Sequence, residues 1–275
     1  MRYAAIVACA VAALASTGCG PSTGSTNGKL KNAVGAGTSQ WALLDLADRS
    51  ISYRRSLGDL ETNPDYRDRV MVFRRVGADG ARFLVGAFEV TQAQWQRIDG
   101  SQPWTAVPDA VVSNAAHDGG KPAYNLDYET LVTGLAAFRL STGGRLTVPT
   151  LRQWHTAAGV STGYVWGPEA DRATIREQAL VRESAITELN KGSRLVDGVD
   201  TGGPDAVGQR AGNANGIFDL HGNVWEWLAP GDRVIGGSWY DTVSLARAEV
   251  EAGAGEGLSS NVDHALIGAR LVLIP

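Results

Sequence analysis

The chain has 275 residues, of which 44% are hydrophobic, and its 25 basic and 29 acidic side chains give a formal net charge of −4. This balance argues against nucleic acid as a partner, because phosphate binding needs an excess of Lys and Arg. The two cysteines, Cys9 and Cys19, precede the folded part of the chain, so no disulfide is expected there.

The N-terminus predicts export. Arg2 precedes an apolar run, residues 3–15, that is too short to cross a bilayer as a helix and is typical of a secretory signal. Small residues at 16–18 then lead into Cys19, the arrangement of a bacterial lipoprotein signal in which the cysteine is acylated. We therefore expect residues 1–18 to be a signal peptide and Cys19 to anchor the protein in the cell envelope, at the outer membrane or the periplasmic face.

Residues 19–39 predict a flexible tether, because Gly, Ser, Thr, Asn and Lys leave little apolar surface to bury. Residues 40–275 follow without an internal repeat or a second linker, and this length fits one domain. The chain has eight Trp, which favour a packed core, and 34 Gly, which indicate many tight turns.

The first part of the domain predicts strands followed by a helix. Four short apolar or alternating runs between Trp41 and Val90 are typical of strands: WALLDLA, ISYRR, VMVFRRV and ARFLVGAFEV. The segment TQAQWQRIDG changes to a helical period, with Thr91 as the N-cap and with Trp95 and Ile98 on one face.

Two more helices are predicted further along the chain. KPAYNLDYETLVTGLAAFRLSTGG indicates a helix that is capped by Asn125 or Asp127 and ends at residues 143–144. Its apolar stripe is Leu131, Leu135 and Phe138. RLTVPTLRQWHTAAG predicts a strand, a turn and a short third helix. Residues 160–216 are predicted to be mostly loop, and a loop of that length usually carries a ligand, an ion or a binding surface. The fold class is therefore α+β, with short strands, about three short helices and many loops.

Six motifs, taken in this order, resemble the sulfatase-modifying-factor family, whose founding member is the formylglycine-generating enzyme. They are EVTQAQW, KPAYNLDYETLVTGLAAF, RLTVPTLRQW, YVWG, GIFDLHGNVWEW and GGSW, between Glu89 and Trp239. The likeness extends from about Arg82 to Leu273. It implies a formylglycine-generating-enzyme-type variant of the C-type-lectin fold.

The resemblance also implies a copper(I) site of two cysteines shortly after the Gly-Gly-Ser, because a soft ion selects thiolate ligands. GGSWYDTVSLAR, aligned without gaps, has Asp241 and Ala246 at those two positions. A carboxylate and a methyl group cannot replace thiols, so copper and formylglycine-generating activity are not expected. Two further departures are Ala269, in place of the aromatic residue of the closing G-F-R, and Ile235, in place of the Arg that often precedes the Gly-Gly.

Iron is not expected either. Non-haem iron needs two His and a carboxylate on one face with open positions. No two of the four His are spaced i,i+4, and we interpret them as polar surface or turn residues. They are His117, His155, His221 and His264. Related iron enzymes usually take their His ligands from an additional helical domain.

Calcium is the expected cofactor, since it prefers oxygen ligands that loops supply. The resemblance implies a calcium held by GNVWEW, with side-chain oxygens from Asn223 and Glu226 and the carbonyl of Val224. The alternative roles are a left-handed turn for Asn223 and a solvated charge for Glu226. A second calcium site in the loop before this segment is equally consistent with the sequence. Its ligands would be Asn190 with Asp197 or Asp200.

The tryptophans of the motifs are expected mainly in the core. This applies to Trp154, Trp166, Trp225 and Trp227. Trp239 could equally be exposed, because Tyr240 and Asp241 follow it. Ser238 resembles a family active-site serine, but without a neighbouring His or Asp motif it is expected to be a hydrogen-bonding turn residue. The candidate binding surface consists of Ser238, Trp239, Tyr240, Asp241 and Arg270.

Three functions remain open from the sequence. The favoured one is a lipid-anchored, calcium-stabilised binding or structural module that presents residues 236–267 to an envelope protein or a glycan, with no catalytic residue assigned. The second is an oxidoreductase that uses a non-haem metal and no cysteine. The third is a diversified ligand-display protein that varies between Tyr240 and His264.

Overall fold

The computed structural model describes residues 39–78, 80–109, 111–112, 117–168, 171–184, 202–253 and 264–275. The predicted signal peptide, the predicted acylation site Cys19 and nearly all of the predicted tether lie outside the described residues. So do Asn190, Asp197 and Asp200, the residues suggested for a second calcium. Residues Thr38–Pro275 form one compact unit.

Ten short strands, numbered along the chain, form two sheets. They are β1 (Trp41–Asp45), β2 (Ile51–Arg54), β3 (Val70–Val76), β4 (Phe83–Gly86), β5 (Arg145–Thr147), β6 (Trp225–Leu228), β7 (Arg233–Ile235), β8 (Glu251–Gly253), β9 (Ile267–Gly268) and β10 (Val272–Ile274). The four strand predictions between Trp41 and Val90 are confirmed.

The first sheet has the strand order β2-β1-β3-β4-β10-β5, and all of its pairings are antiparallel. Side chains alternate between its two faces, as the period of a strand requires. Ala42 and Leu44 pack in the largest core cluster with Phe73, whereas Trp41 and Leu43 pack in a second cluster. Both faces of this sheet are therefore covered.

The second sheet has the order β8-β7-β6-β9, in which only the pairing of β6 with β9 is parallel. Its central strand β6 carries the WEWL segment, and all four of these residues are buried. β9 lies directly before β10 in the chain, so the closing segment passes from the second sheet to the first. Arg270 lies in this crossing.

Five α-helices lie wholly within the described residues. They are α1 (Asp65–Asp68), α2 (Gln92–Ile98), α3 (Tyr128–Ala137), α4 (Leu151–Ala158) and α5 (Arg172–Gln178), and 3₁₀ turns occupy Pro103–Ala106 and Val243–Ala246. The N-cap prediction for Thr91 is confirmed, and its hydroxyl forms a capping box with Gln94. None of these helices has the length and apolar character of a bilayer-spanning segment.

Two helix predictions need correction. Asp127 caps α3, but the helix ends at Ala137 rather than at residues 143–144. The chain leaves the helix there because Phe138 has an extended backbone and is buried in the core. Helix α5 lies inside the region predicted to be mostly loop. Its N-cap is Asp171 and it buries only Ile175, so it has almost no apolar periodicity to detect.

Candidate functional site

The GNVWEW segment begins with a tight turn that fixes the direction of the strand after it. Gly222 has a φ of +87°, and a Cβ at this position would collide with the carbonyl oxygen of Leu180. Asn223 follows with a φ of 62°, the left-handed conformation that Asn tolerates better than most residues. Its N–H donates to the Leu180 carbonyl at 2.8 Å. This turn leads into β6 and positions Trp225 and Glu226.

A fully buried ion pair lies behind this turn. Glu226 and Arg270 are 1% and 0% exposed. The Arg270 Nη2 donates to Glu226 Oε1 at 2.6 Å, and Nε lies 3.0 and 3.1 Å from the two carboxylate oxygens. The remaining guanidinium hydrogens reach the backbone carbonyls of Gly86 and Phe218 at 3.1 and 2.7 Å. The Trp154 indole donates to Glu226 Oε2 at 2.8 Å. Every nitrogen of Arg270 therefore has an acceptor.

Two further buried carboxyl groups belong to the same cluster. Glu89 accepts hydrogen bonds from the Val224 N–H at 3.1 Å and from Asn223 Nδ2 at 2.6 Å. Asp219 accepts from the Gly208 N–H at 2.6 Å. Burial raises the pKa of Asp219 to about 6, and it raises the pKa of Glu89 well above its usual value, with a further contribution from the negative charge of Asp219. Glu226 alone contacts the Arg270 guanidinium, while Glu89 and Asp219 are close enough for its positive charge to act on their pKa values.

The geometry bears on the calcium expected at Asn223, Val224 and Glu226. Calcium lies about 2.3–2.6 Å from its oxygen ligands, and at that distance from Glu226 it would approach the positive charge of Arg270. The Asn223 side-chain oxygen already accepts from the Asp205 N–H at 3.0 Å. In the described part of the chain, no three His, Cys, Asp or Glu side chains are arranged to hold a metal. These residues do not fit a calcium ion as they are placed, and the calcium hypothesis stays a prediction that a chelator experiment would test.

The two positions that the resemblance gives to copper thiolates have structural contacts instead. The Asp241 carboxylate accepts from the Trp225 indole at 2.7 Å and from the Ser238 hydroxyl. Ala246 is fully buried, packs against Gly237, and its carbonyl accepts from His221 Nδ1 at 2.6 Å. Ser238 is thus a hydrogen-bonding turn residue in this segment, as its sequence context predicts. Both side chains hold the segment after β7 in place.

His221 corrects an expectation, because it is 1% exposed rather than a polar surface or turn residue. The rings of Trp154, Tyr164 and Trp166 pack edge-on against its imidazole. Its Nε2 accepts from the Val165 N–H at 3.0 Å. Burial lowers the pKa of His221 to about 4, so the ring is neutral near pH 7. The other three His are half-buried. Only the tertiary contacts of these aromatic residues reveal the role of His221.

The five candidate surface residues do not form one open surface. Ser238, Trp239 and Arg270 are buried, and Asp241 is half-buried. Tyr240 is 46% exposed, and Leu245 in the same segment, which is not among the predicted surface residues, is 42% exposed. No sequence pattern distinguishes Leu245, because Val243 and Ala246 near it are also apolar. The exposed part of the candidate site is therefore the segment from Tyr240 to Leu245.

The tryptophans of the motifs are mostly in the core. Trp154, Trp225 and Trp227 are buried, as expected, and Trp239 is buried as well. Trp166 is half-buried and stacks on Tyr164, with ring centroids 4.7 Å apart. The departures at Ile235 and Ala269 are buried apolar residues of the core. No tryptophan of this set is available as an open stacking platform.

Comparison with known proteins agrees with the motifs. Residues 74–273 match the family model described as a sulfatase-modifying factor enzyme 1-like domain. A curated relative, the chaperone protein LppX of Paenibacillus barcinonensis, is 25% identical over 215 residues, which cover 60% of this chain and 71% of that protein.

Two solved structures have a similar fold. Treponema denticola variable protein 1 is 16% identical, with a TM-score of 0.52, and the match covers 75% of this chain and 96% of that one. PvdO from Pseudomonas aeruginosa is also 16% identical, with a TM-score of 0.50 and coverage of 75% and 94%. The family resemblance and the α+β fold class are confirmed. Since the family match spans more than half of its length, the chain belongs to the sulfatase-modifying factor enzyme 1-like domain family.

Proposed function

We propose that this protein is an envelope-anchored lipoprotein whose domain binds a partner protein and does not oxidise cysteine. The observation that carries the proposal is the structural use of Asp241 and Ala246, the two positions where copper thiolates would be needed. Asp241 is hydrogen-bonded to Trp225 and Ser238, and Ala246 is packed against Gly237. A segment that holds itself together through these side chains has no ligand left for a soft metal.

The same segment offers an apolar contact surface. Tyr240 and Leu245 are two of the four large hydrophobic side chains that are exposed among the described residues. Tyr is enriched at protein interfaces because it combines apolar area with a polar tip. The curated relative is named a chaperone protein, which supports a protein partner over a glycan.

Photo-crosslinking in intact cells tests the binding role. A photoreactive phenylalanine analogue replaces Tyr240 or Leu245, and the matched control replaces Glu129, an exposed residue of α3. We expect a light-dependent adduct of one discrete mass at the two test positions and none at the control. Adducts at all three positions, or at none, would contradict a specific binding segment.

The enzymatic alternative has its own assay. Purified protein is loaded with copper(I), incubated in air with a cysteine-containing peptide, and the peptide is analysed by mass spectrometry for conversion to the aldehyde. We expect no aldehyde, and a variant that carries both Asp241→Cys and Ala246→Cys controls for restored copper binding. Aldehyde formed by the unmodified protein would overturn the proposal.

The anchor and the display alternative are tested separately. Acid hydrolysis of the exported protein should release fatty acid from Cys19, and a Cys19→Ser variant should release none. Substitutions among related strains that are confined to Tyr240–His264 would instead favour a diversified ligand-display protein.

A further inference from the structure

One end of the first sheet carries an arginine on each of four strands or directly beside it. The strand register defines this end. Arg54 and Arg74 both pair with Trp41, Arg75 pairs with Leu84, and Arg145 pairs with Ile274. Arg55 follows β2 and Arg82 precedes β4. We name this set the basic end: Arg54, Arg55, Arg74, Arg75, Arg82 and Arg145. The residues are far apart in sequence, and only the sheet brings them to one edge.

The basic end differs from the opposite end of the same sheet in its ion pairs. Near the opposite end, Arg69 lies 3.5 Å from Asp45 and 3.4 Å from Asp65, and Arg97 lies 2.8 Å from Asp68. At the basic end, Arg54, Arg55 and Arg145 are exposed, and within the described ranges none of them is ion-paired with a carboxylate. The chain has a net negative charge, so this local excess of positive charge is a property of the fold and not of the composition.

Trp41 holds one of these arginines in place. The Arg74 guanidinium lies over the Trp41 ring, 4.8 Å from its centroid, and its Nε is buried without a hydrogen-bond partner. Burial lowers the pKa of Arg74, and no carboxylate opposes that shift. Arg74 therefore adds positive charge to the basic end from a fixed position, while its buried Nε is out of reach of a ligand.

The chain enters the domain at the basic end. The Gln40 N–H donates to the Arg54 carbonyl at 3.0 Å, and Arg75 Nε donates to the Ser39 carbonyl at 2.8 Å. The described part of the chain therefore begins at the basic end, and residues 20–38 separate this point in sequence from the predicted anchor at Cys19.

We propose that the basic end binds the phosphate headgroups of anionic lipids in the membrane that holds the anchor, so that the domain docks on the bilayer with this end down. The inference rests on the proposed lipoprotein anchor. Charge complementarity favours a lipid surface as the binding partner, because several arginines along one edge of the sheet can contact several headgroups at once. A single phosphate ligand would instead need the arginines to converge on one pocket.

The exported, acylated protein is suited to a direct test, because Cys19 carries the lipid and the mature chain has no other cysteine. Ser56→Cys places a fluorophore beside Arg55, and Ala47→Cys places the same fluorophore in the exposed turn between β1 and β2, at the opposite end. The protein is reconstituted into vesicles of phosphatidylcholine alone or with phosphatidylglycerol, each containing a lipid with a quencher on its headgroup.

We expect quenching at position 56, but not at position 47, in vesicles that contain phosphatidylglycerol. The docked-to-undocked ratio should fall about fivefold for each exposed arginine removed. Arg54→Gln with Arg55→Gln is the test variant. Arg69→Gln with Arg97→Gln removes the same charge elsewhere, is the matched control, and should leave quenching unchanged.

The outcomes separate this inference from the anchor. Equal quenching at positions 47 and 56, or quenching in pure phosphatidylcholine that equals that in the anionic vesicles, would overturn the inference while the anchor stands. A protein without fatty acid that still floats with anionic vesicles, and loses that binding in the Arg54/Arg55 variant, would remove the anchor and retain the inference. A protein without fatty acid that binds neither vesicle would overturn both.

Discussion

The Glu226–Arg270 pair and the basic end of the first sheet use arginine in opposite surroundings. Arg270 is fully buried, and its nitrogens reach a carboxylate and three backbone carbonyls. Arg54 and Arg55 are exposed and have no carboxylate partner in the described part of the chain. Every nitrogen of Arg270 has an acceptor inside the fold, so this guanidinium is committed to the structure. The exposed arginines keep donors that a ligand can use.

The largest effect on stability is expected from a substitution that removes the buried ion pair of Glu226 with Arg270. Arg270→Met leaves Glu226 without its counter-charge beside two other buried carboxyl groups. We expect the free energy of unfolding to fall by about 3–5 kcal/mol, as measured by urea denaturation. Arg54→Met is the matched control at the basic end and should change it by no more than about 0.5 kcal/mol. Similar losses in both variants would show that the two arginines are not used differently.

The next effect concerns the protons of the buried cluster. Burial raises the pKa of Asp219 from 3.8 to about 6. Its bound proton therefore stabilises the folded state by up to about 3 kcal/mol. This contribution is fully present below about pH 4 and is lost as the pH rises through about 6. Asp219→Asn should flatten the dependence of unfolding free energy on pH between 4 and 6 and leave the variant more stable above it.

The free energy of unfolding of this variant is measured by urea denaturation between pH 4 and pH 8. Asn tolerates the φ of 55° at this position, and its amide oxygen can still accept from the Gly208 N–H. Glu129→Gln, an exposed change on α3, is the control. A profile that stays as steep in Asp219→Asn as in the unmodified protein would show that another group titrates in this window.

A smaller effect is expected at Asp241, whose exposure lies between that of Arg270 and that of Arg54. Asp241 is half-buried and accepts from the Trp225 indole at 2.7 Å. Asp241→Ala leaves that indole N–H without a partner, and we expect a loss of about 1–3 kcal/mol. Asp241→Asn keeps an acceptor oxygen and should lose less, as followed by urea denaturation. An equal loss in both variants would mean that the indole does not depend on this acceptor.

The sequence predicted the local elements better than their ends. Thr91 and Asp127 cap α2 and α3, because a capping side chain bonds to N–H groups only two or three residues away. The end of α3 was wrong because Phe138 leaves the helix to fill the core. Helix α5 was missed because a helix that buries one side chain leaves no periodic pattern.

The candidate site was located by its motifs but not by its contacts. GNVWEW and GGSW identified the two segments that meet there, and the alignment of GGSWYDTVSLAR placed Asp241 and Ala246 where thiols would be required. No sequence pattern indicates that Glu226 pairs with Arg270, or that His221 is enclosed by aromatic rings. Of the five candidate surface residues, only Tyr240 is exposed. The motifs do not indicate this, because exposure depends on the residues that pack against a side chain.

By itself, the sequence determined the family, the class of fold, the strands and helix caps of the first half, and the absence of thiols from the folded domain. These follow from short-range spacing and from residue identity. The tertiary structure alone decided which charges are buried and which are open. Glu89 meets Asn223 across 134 residues, and Arg270 meets Glu226 across 44. The basic end likewise exists only through strand register. Contacts at such separations depend on how the sheets pack, and local sequence does not encode them.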